Sequence, residues 1–298
     1  MTIKILISDK ISDDGIKILK EKGYQVTSAW DTPKTELPKI IADYDVLIVR
    51  SATKVKGELL ENAKNLKLIG RAGEGLDNVD FQKANAMGIK VVNTPHVSYV
   101  SVAELTLGYI IALARNIVQG TISMREGKWE KERLMGMELN GKTLGVIGCG
   151  HIGRTVERFA IELGLKVVGV EECVHDRFVP LDEMLPKADF ITIHVPLSPL
   201  TKHMISTKEF EKMKTGVMIV DCSRGGVIDQ EALYQALVSG KVKAAALDVF
   251  EEEPPKNCKL LTLPNVIATP HMGAQTEEAQ LKASVQIANR VIEILEKQ

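Results

Sequence analysis

The segment GVIGCGHIGR, residues 145–154, decides the fold class of this 298-residue chain. Gly148, Gly150 and Gly153 have the G-x-G-x-x-G spacing, after the apolar run KTLGVIG and before an amphipathic stretch. In such a strand-to-helix turn, small residues let the backbone approach a pyrophosphate at the N-terminus of the helix. The segment therefore predicts a dinucleotide site, and the alternative is a tight turn that binds no ligand.

A carboxylate at the end of the next predicted strand indicates which dinucleotide binds. Glu171 ends the run KVVGVE, 18 residues after Gly153. A carboxylate at this place accepts hydrogen bonds from a ribose diol, and it repels a 2′-phosphate. The sequence therefore predicts NAD rather than NADP.

Short β-branched runs alternate with amphipathic stretches in two series. The first series extends from Ile3 to Pro95, and the second begins with KTLGVIG. A long apolar helical pattern, Ser101–Glu126, separates them, and a helical pattern closes the chain. Alternation of this kind is typical of parallel sheets with helices on both faces, so we expect two doubly wound α/β domains.

Composition excludes several classes of function. The 38 basic and 39 acidic residues are interspersed, which argues against binding to nucleic acid or to a membrane surface. The apolar stretch Leu105–Ala114 is far shorter than the roughly 20 residues of a membrane span. The N-terminus, MTIKILISDK, lacks a secretory signal, and the four cysteines lack metal-ligand spacing. We expect a cytoplasmic protein that acts on small molecules without a metal.

Three reactive side chains follow predicted strands of the second series. They are Arg224 in DCSRGG, Glu253 in DVFEEEP and His271 in TPHMG. Ligands of open α/β sheets bind outside the carboxyl ends of the strands, so these side chains are candidates for catalysis. An imidazole can take the proton of an alcohol during its oxidation, a carboxylate can stabilise the imidazolium, and a guanidinium can clamp a substrate carboxylate.

Each of these side chains also has an alternative interpretation as a solvated loop residue. His194, at the end of DFITIHV, lies at the same predicted sheet edge and competes with His271. From the residues alone, His271 ranks only narrowly above His194.

Segments along nearly the whole chain resemble the D-2-hydroxyacid dehydrogenases, in the same order. VRSATKV and GKWEKERLMGMELNGK are similar to the D-3-phosphoglycerate dehydrogenase branch of that family. The chain ends soon after the closing helix, so we expect a short form that lacks a C-terminal serine-sensing domain. The other matching segments are GRAGEGLDNVD, NTP with SVAEL, ELNGKTLGVIGCGHIGR, HVPLSPLT, DCSRGGVID, ALDVFEEEPP and TPHMGAQT.

The resemblance explains why the glycine turn lies in the middle of the chain. In this family a Rossmann NAD-binding domain, here residues 96–273, is inserted into a flavodoxin-like substrate-binding domain, here residues 1–95 and 274–298. The active site is then expected in the cleft between them, where hinge closure excludes water. The resemblance also implies a homodimer, and the long apolar helix from Ser101 is the element that favours one.

The resemblance assigns a role to each candidate residue. It implies that His271 is the acid/base, Glu253 its orienting carboxylate and Arg224 the substrate clamp, which favours His271 over His194. The implied cofactor contacts are Glu74, Gly148, Gly150, His151, Ile152, Gly153, Glu171, Val195, Cys222, Ser223, Arg224, Asp248, His271, Gly273 and Ala274. The implied substrate contacts are Arg50, Ser51, Glu74, Gly75, Lys131 and Arg224.

Several positions depart from the family pattern. Glu74 stands where an uncharged residue is usual, and Lys131 where an arginine is common. Ser98 replaces an asparagine, His151 replaces a frequent arginine, and the stretch 172–180 is shorter than usual. These departures bear on which 2-hydroxy acid the protein oxidises more than on the type of reaction.

The implied reaction is the NAD-dependent oxidation of D-3-phosphoglycerate to 3-phosphohydroxypyruvate, the first step of phosphorylated serine biosynthesis. The departures at Glu74 and Lys131 keep a glyoxylate or hydroxypyruvate reductase, or another D-2-hydroxyacid dehydrogenase, as an alternative. A further alternative is a non-catalytic protein that senses NADH, similar to the corepressors that share this fold.

Overall fold

A computed structural model describes residues 2–170 and 179–297 of the chain. The chain divides into two compact units. One unit combines Met1–Ser98 with Gln275–Gln298, and the other is Tyr99–Ala274. Each unit has a parallel sheet with apolar clusters on its faces.

The first unit is built on a parallel sheet of five strands in the order β2-β1-β3-β4-β5. This is the order of flavodoxin-like sheets. The strands are β1 Lys4–Ile7, β2 Gln25–Ser28, β3 Val46–Val49, β4 Leu68–Arg71 and β5 Lys90–Asn93. The helices that connect them are α1 Asp13–Glu21, α2 Leu37–Ile40, α3 Gly57–Glu61 and α4 Phe81–Ala86, with a 3₁₀ turn at Ile41–Asp43.

The last helix of the chain, α11 (Glu277–Glu296), packs in the first unit. The backbone amide of Ser12 donates to Oγ of Ser284 at 2.9 Å. A Cβ on Gly15 would lie 2.6 Å from the carbonyl oxygen of Ser284, so α1 and α11 approach as closely as a glycine allows. This close contact ties the end of the chain to its beginning.

The second unit contains a parallel sheet of six described strands in the order β11-β10-β9-β8-β6-β7. The strand order reverses between β6 and β8, so the ligand crevice of a doubly wound sheet is expected there. The strands are β6 Thr143–Ile147, β7 Lys166–Val170, β8 Phe190–Ile193, β9 Val217–Asp221, β10 Val242–Leu247 and β11 Val266–Ala268. The predicted fold class, two doubly wound parallel sheets, is confirmed.

Six described helices belong to the second unit. Helix α5 (Tyr99–Ala114) is apolar on nearly all sides, because it packs between α7 (His151–Glu162) and strands β9 and β10. Within the described residues, no single helix has the length and hydropathy of a membrane span; α5 and α6 reach them only together, across a bend of 63°. The helices are α5 Tyr99–Ala114, α6 Ile117–Arg125, α7 His151–Glu162, α8 Leu181–Met184, α9 Thr207–Lys212 and α10 Gln230–Val238, with a 3₁₀ turn at Lys259–Thr262.

Candidate functional site

The predicted glycine turn joins β6 to α7 and is closed by contacts that exclude side chains. A Cβ on Gly153 would lie 2.0 Å from the carbonyl oxygen of Gly148. A Cβ on Gly148, whose φ is 91°, would lie 2.7 Å from the carbonyl oxygen of His194. At Gly150, by contrast, no described atom lies within 4 Å of such a Cβ. The turn is therefore tight underneath and open above the N-terminus of α7, as a pyrophosphate requires.

His194 provides a second feature that fits a dinucleotide. Its Nε2 shares a hydrogen bond of 3.0 Å with Oγ1 of Thr192, whereas its buried Nδ1 has no partner in the described part of the chain. Burial lowers the pKa of His194 to about 3, so the imidazole stays neutral. A buried polar nitrogen beside an open glycine turn leaves a group that a ligand can satisfy.

The neighbours of the turn are placed as follows. Val195 is buried, and its side chain lies close to Gly148. Ile152 packs against the core, and the ring of His151 lies 5.9 Å from that of Tyr99. The predicted ribose contact, Glu171, lies outside the described residues.

His271 and Glu253, which the sequence predicts to act as an acid–base pair, lie within hydrogen-bonding distance of each other. Nδ1 of His271 lies 2.8 Å from Oε2 and 3.1 Å from Oε1 of Glu253. Burial raises the pKa of Glu253. This effect is outweighed by three that lower the pKa: the hydrogen bond and charge of His271, the amide of Phe250 and the charge of Arg224. The net pKa of Glu253 lies below its ordinary value, so the carboxylate is ionised and orients the imidazole.

The loop of Arg224 packs directly against the loop of Glu253. A Cβ on Gly225 would lie 1.8 Å from the carbonyl oxygen of Phe250, so only glycine permits this approach. Nη1 of Arg224 donates to the carbonyl of Ser223 at 2.7 Å. The loops after β9, β10 and β11 thus bring a guanidinium, a carboxylate and an imidazole to one edge of the sheet. The competing His194 has no such carboxylate bond among the described residues.

Asp248 makes contacts that its predicted role as a cofactor contact does not include. Its carboxylate, only 1% exposed, accepts hydrogen bonds from Oγ1 of Thr269 and from the amides of Met272 and Gly273, both at 2.8 Å. A carboxylate offers about four acceptor positions, so three are already used by the His271 loop. The main contacts of Asp248 are therefore with the loop that carries His271.

The remaining cofactor candidates of this unit lie on the same loops. The amide and Oγ of Ser223 donate to Oδ1 of Asp221 at 2.8 and 2.6 Å. Cys222 is buried, and burial raises the pKa of its thiol. A Cβ on Gly273 would lie 3.2 Å from Val102, and Ala274 is the last residue of the second unit.

In the first unit, a buried aspartate shapes the loop of Arg50 and Ser51. Asp9 accepts the amide of Arg50 at 2.7 Å and both the amide and Oγ1 of Thr53, at 3.0 and 2.7 Å. Lys34 forms an ion pair of 2.8 Å with the same carboxylate. The side chain of Ser51 is exposed, and the guanidinium of Arg50 lies 3.3 Å from Oε1 of Gln275.

The departure at Glu74 has a local partner. Its Oε1 lies 3.9 Å from Nδ1 of His96, and its carbonyl accepts a hydrogen bond from Nδ2 of Asn93. Gly75, which follows, is half-buried. In the second unit Lys131 is exposed, and among the described residues no hydrogen bond or ion pair joins it to the other candidates.

Sequence reasoning missed the residues that hold these loops. Asp9 and Asp221 lie at strand ends, a position that could have identified them. Tyr109 and Thr269 gave no signal, because Tyr109 lies in an apolar helical pattern and Thr269 160 residues further on.

Comparison with known proteins identifies the family. Residues 107–273 match the model of the D-isomer specific 2-hydroxyacid dehydrogenase, NAD binding domain. The chain belongs to this family. The predicted family membership is thus confirmed, and NAD is the cofactor of the second unit.

Relatives and solved structures agree with this assignment. A D-3-phosphoglycerate dehydrogenase of Methanocaldococcus jannaschii is 49% identical over 98% of this chain, which spans 57% of that relative. A hydroxypyruvate reductase of Thermotoga maritima is 47% identical over 98% of both chains. The NAD complex of a formate dehydrogenase from Staphylococcus aureus is 28% identical with a TM-score of 0.88, covering all of this chain (100%) and 96% of that one. The chain spans only about half the length of the M. jannaschii relative.

Gly150→Ala tests the open side of the glycine turn. Because no described atom approaches its Cβ and its φ is −67°, we expect the free energy of unfolding to change by less than about 0.5 kcal/mol. The new methyl group would occupy the space above the turn, so we expect the Kd for NADH to rise about tenfold or more. Thermal unfolding and titration of NADH fluorescence measure the two effects.

Gly153→Ala is the matched control, because its Cβ would collide with the backbone of Gly148. It should lower the unfolding temperature as well as NADH affinity. Unchanged NADH affinity in Gly150→Ala would contradict the placement of the pyrophosphate.

Proposed function

We propose that this chain is an NAD-dependent D-3-phosphoglycerate dehydrogenase that makes 3-phosphohydroxypyruvate, as the first step of phosphorylated serine biosynthesis. The observation that carries the proposal is the His271–Glu253 pair beside the Arg224 loop, at the carboxyl edge of an NAD-binding sheet. The similarity to a D-3-phosphoglycerate dehydrogenase supports the choice of substrate.

The proton of the substrate hydroxyl goes to His271. Because Nδ1 of His271 is bonded to Glu253, Nε2 is the nitrogen that remains for the substrate. The ionised Glu253 stabilises the imidazolium that forms and keeps the ring oriented. Bound NAD supplies the acceptor for the hydride that leaves the substrate carbon.

Other side chains bind and orient the reactants. Arg224 can clamp the substrate carboxylate through two parallel N–H bonds. Gly148, Gly150 and Gly153 would hold the pyrophosphate at the start of α7. In the first unit we assign the substrate phosphate to Arg50, whose backbone is fixed by Asp9.

A hydroxypyruvate or glyoxylate reductase is the second candidate. It is favoured by Glu74, a carboxylate four residues before the half-buried Asn78, whose amide donates to the carbonyl oxygens of Arg50 and Thr53. A negative charge near this loop disfavours a phosphorylated substrate. The hydroxypyruvate reductase of T. maritima matches the chain at nearly full length. A protein that only senses NADH would not need the His271–Glu253 pair.

Turnover of a panel of acids tests the proposal. We expect NADH formation from D-3-phosphoglycerate, at alkaline pH with a trap for the keto product, with kcat/KM at least about tenfold above D-glycerate and D-lactate. His271→Ala should lower kcat by about 100-fold or more and Glu253→Gln by a smaller factor, since general acid–base catalysis contributes about that much.

NADH affinity is the control for Glu253→Gln, whose side chain is not an implied cofactor contact, and it should stay within about twofold of the wild type. Turnover of the unphosphorylated acids alone would favour the reductase. Turnover that survives His271→Ala within a few-fold would contradict the assignment of the acid/base.

Glu74→Gln tests the effect of the carboxylate on substrate choice. Removal of the negative charge should raise kcat/KM for D-3-phosphoglycerate by about three- to tenfold and leave D-glycerate nearly unchanged. Glu74→Asp keeps the charge and is the control. Equal effects on both acids would show that Glu74 does not face the phosphate.

We also propose a homodimer, formed through helix α6 and the segment that follows it. Trp129 and Met135 are 80% and 78% exposed, and Ile117, Ile122 and Met124 are exposed as well. So many large apolar side chains within residues 117–135 are typical of an interface. Trp129→Glu should therefore shift the sedimentation of a micromolar solution from dimer towards monomer.

The control for the dimer is Leu200→Glu, which alters an apolar side chain that is 92% exposed elsewhere in the unit. It should sediment as the wild type does. A wild-type monomer at micromolar concentration would exclude the dimer.

A further inference from the structure

Three polar side chains connect helix α5 to the loop that carries His271; Tyr109 and Asp248 are buried, and Thr269 between them is half-buried. The hydroxyl of Tyr109, on α5, is hydrogen-bonded to Oγ1 of Thr269, which is hydrogen-bonded to Oδ1 of Asp248. Tyr109 is 6% exposed and Asp248 1% exposed. We call these three residues the Tyr109 bridge.

The direction of the hydrogen bonds in the Tyr109 bridge follows from the donors available. The carboxylate of Asp248 already accepts two backbone amides and has no proton to give, so Thr269 donates to it. The single proton of the Thr269 hydroxyl is then used, and Tyr109 must donate to Thr269. Burial raises the pKa of Tyr109, which keeps this phenol protonated.

The bridge ends on both sides of His271 in the sequence. Asp248 binds the side chain of Thr269, two residues before His271, and the amides of Met272 and Gly273, just after it. His271 itself has a φ of 51°, in the left-handed region that few residues other than glycine adopt. Such a conformation persists only when its surroundings hold it. The hydrogen bonds to the Asp248 carboxylate stabilise this conformation of His271.

We propose that Tyr109 is a positioning residue for His271, acting through Thr269 and Asp248. This inference rests on the proposed function, in which His271 takes the substrate proton. Without the phenol, the half-buried Thr269 hydroxyl loses its donor and is free to turn away from Asp248. The loop then samples conformations in which the imidazole is misplaced for proton transfer, although the cofactor turn at Gly148 is untouched.

The effect on turnover is measured with Tyr109→Phe and Thr269→Val, singly and together. We expect each single variant to lower kcat by about three- to tenfold, as loss of one buried hydrogen bond allows, with KM and the Kd for NADH within about twofold of wild type. Because the two residues act in series, the double variant should be no slower than the slower single one. Thr269→Ser keeps the hydroxyl and should restore nearly full kcat.

The effect on the loop is measured without turnover, by hydrogen exchange at the amides of Met272 and Gly273. These amides should exchange several-fold faster in Tyr109→Phe and Thr269→Val than in the wild type. Tyr234→Phe is the matched control, since Tyr234 is a partly buried tyrosine of the same unit beneath Lys259. It should change neither kcat nor these exchange rates.

The outcomes separate the two proposals. A wild type that oxidises no 2-hydroxy acid defeats the proposed function, whereas the exchange rates still test the Tyr109 bridge. Unchanged exchange at Met272 and Gly273, a loss confined to KM, or additive losses of kcat in the double variant would each overturn the positioning role of Tyr109.

Discussion

Buried aspartates at the ends of parallel strands hold the loops on which both units depend. Asp9 follows β1 and binds the loop after β3, and Asp248 follows β10 and binds the loop after β11. A parallel sheet brings all its carboxyl ends to one edge, so a carboxylate there can reach the next loop. A buried carboxylate must be satisfied by donors, and the loop amides are those donors. Charge and loop conformation are therefore fixed together.

This constraint explains how loops can hold their residues in a defined geometry. Arg50 and His271 both lie in loops, and each loop is bound through backbone groups rather than through the reactive side chain. Asp9 and Asp248 thus hold the loops without binding the guanidinium of Arg50 or the imidazole of His271, which contact Gln275 and Glu253 instead. The side chain of Glu253 is also held by a backbone group: the amide of Phe250 donates to its Oε1 at 3.2 Å, while the same carboxylate is bonded to His271.

Local patterns were enough to predict the glycine turn and the placement of Arg224, Glu253 and His271 in loops at one edge of the sheet. The spacing of Gly148, Gly150 and Gly153 and the ends of apolar runs are properties of a few adjacent residues. The choice between His271 and His194 could not be made this way, because both lie at the same sheet edge. The distance to Glu253, and the burial of His194 without a charged partner, favour His271.

Contacts between distant residues lay beyond the sequence. Tyr109 fits the apolar pattern of a core helix, and only folding brings its hydroxyl to Thr269. The three loop contacts of Asp248 were missed for the same reason. Glu171, on which the prediction of NAD over NADP rested, lies outside the described residues, and NAD was established through the family instead.

Asp221 makes the stability of the second unit fall as the pH rises, which is unusual for a carboxylate. Burial raises its pKa to about 6, in spite of the bonds from Ser223 and the charge of Arg224, which lower it. Between about pH 4 and pH 6 the folded unit therefore holds a proton that the unfolded chain has released. Its stability falls as the pH rises through this window, by up to about 3 kcal/mol. Glu253, with its lowered pKa, has the opposite dependence. Folding near pH 5 thus takes up a proton at Asp221, and near neutral pH the ionised carboxylate, beside the loop of Arg224, lowers the stability of the unit.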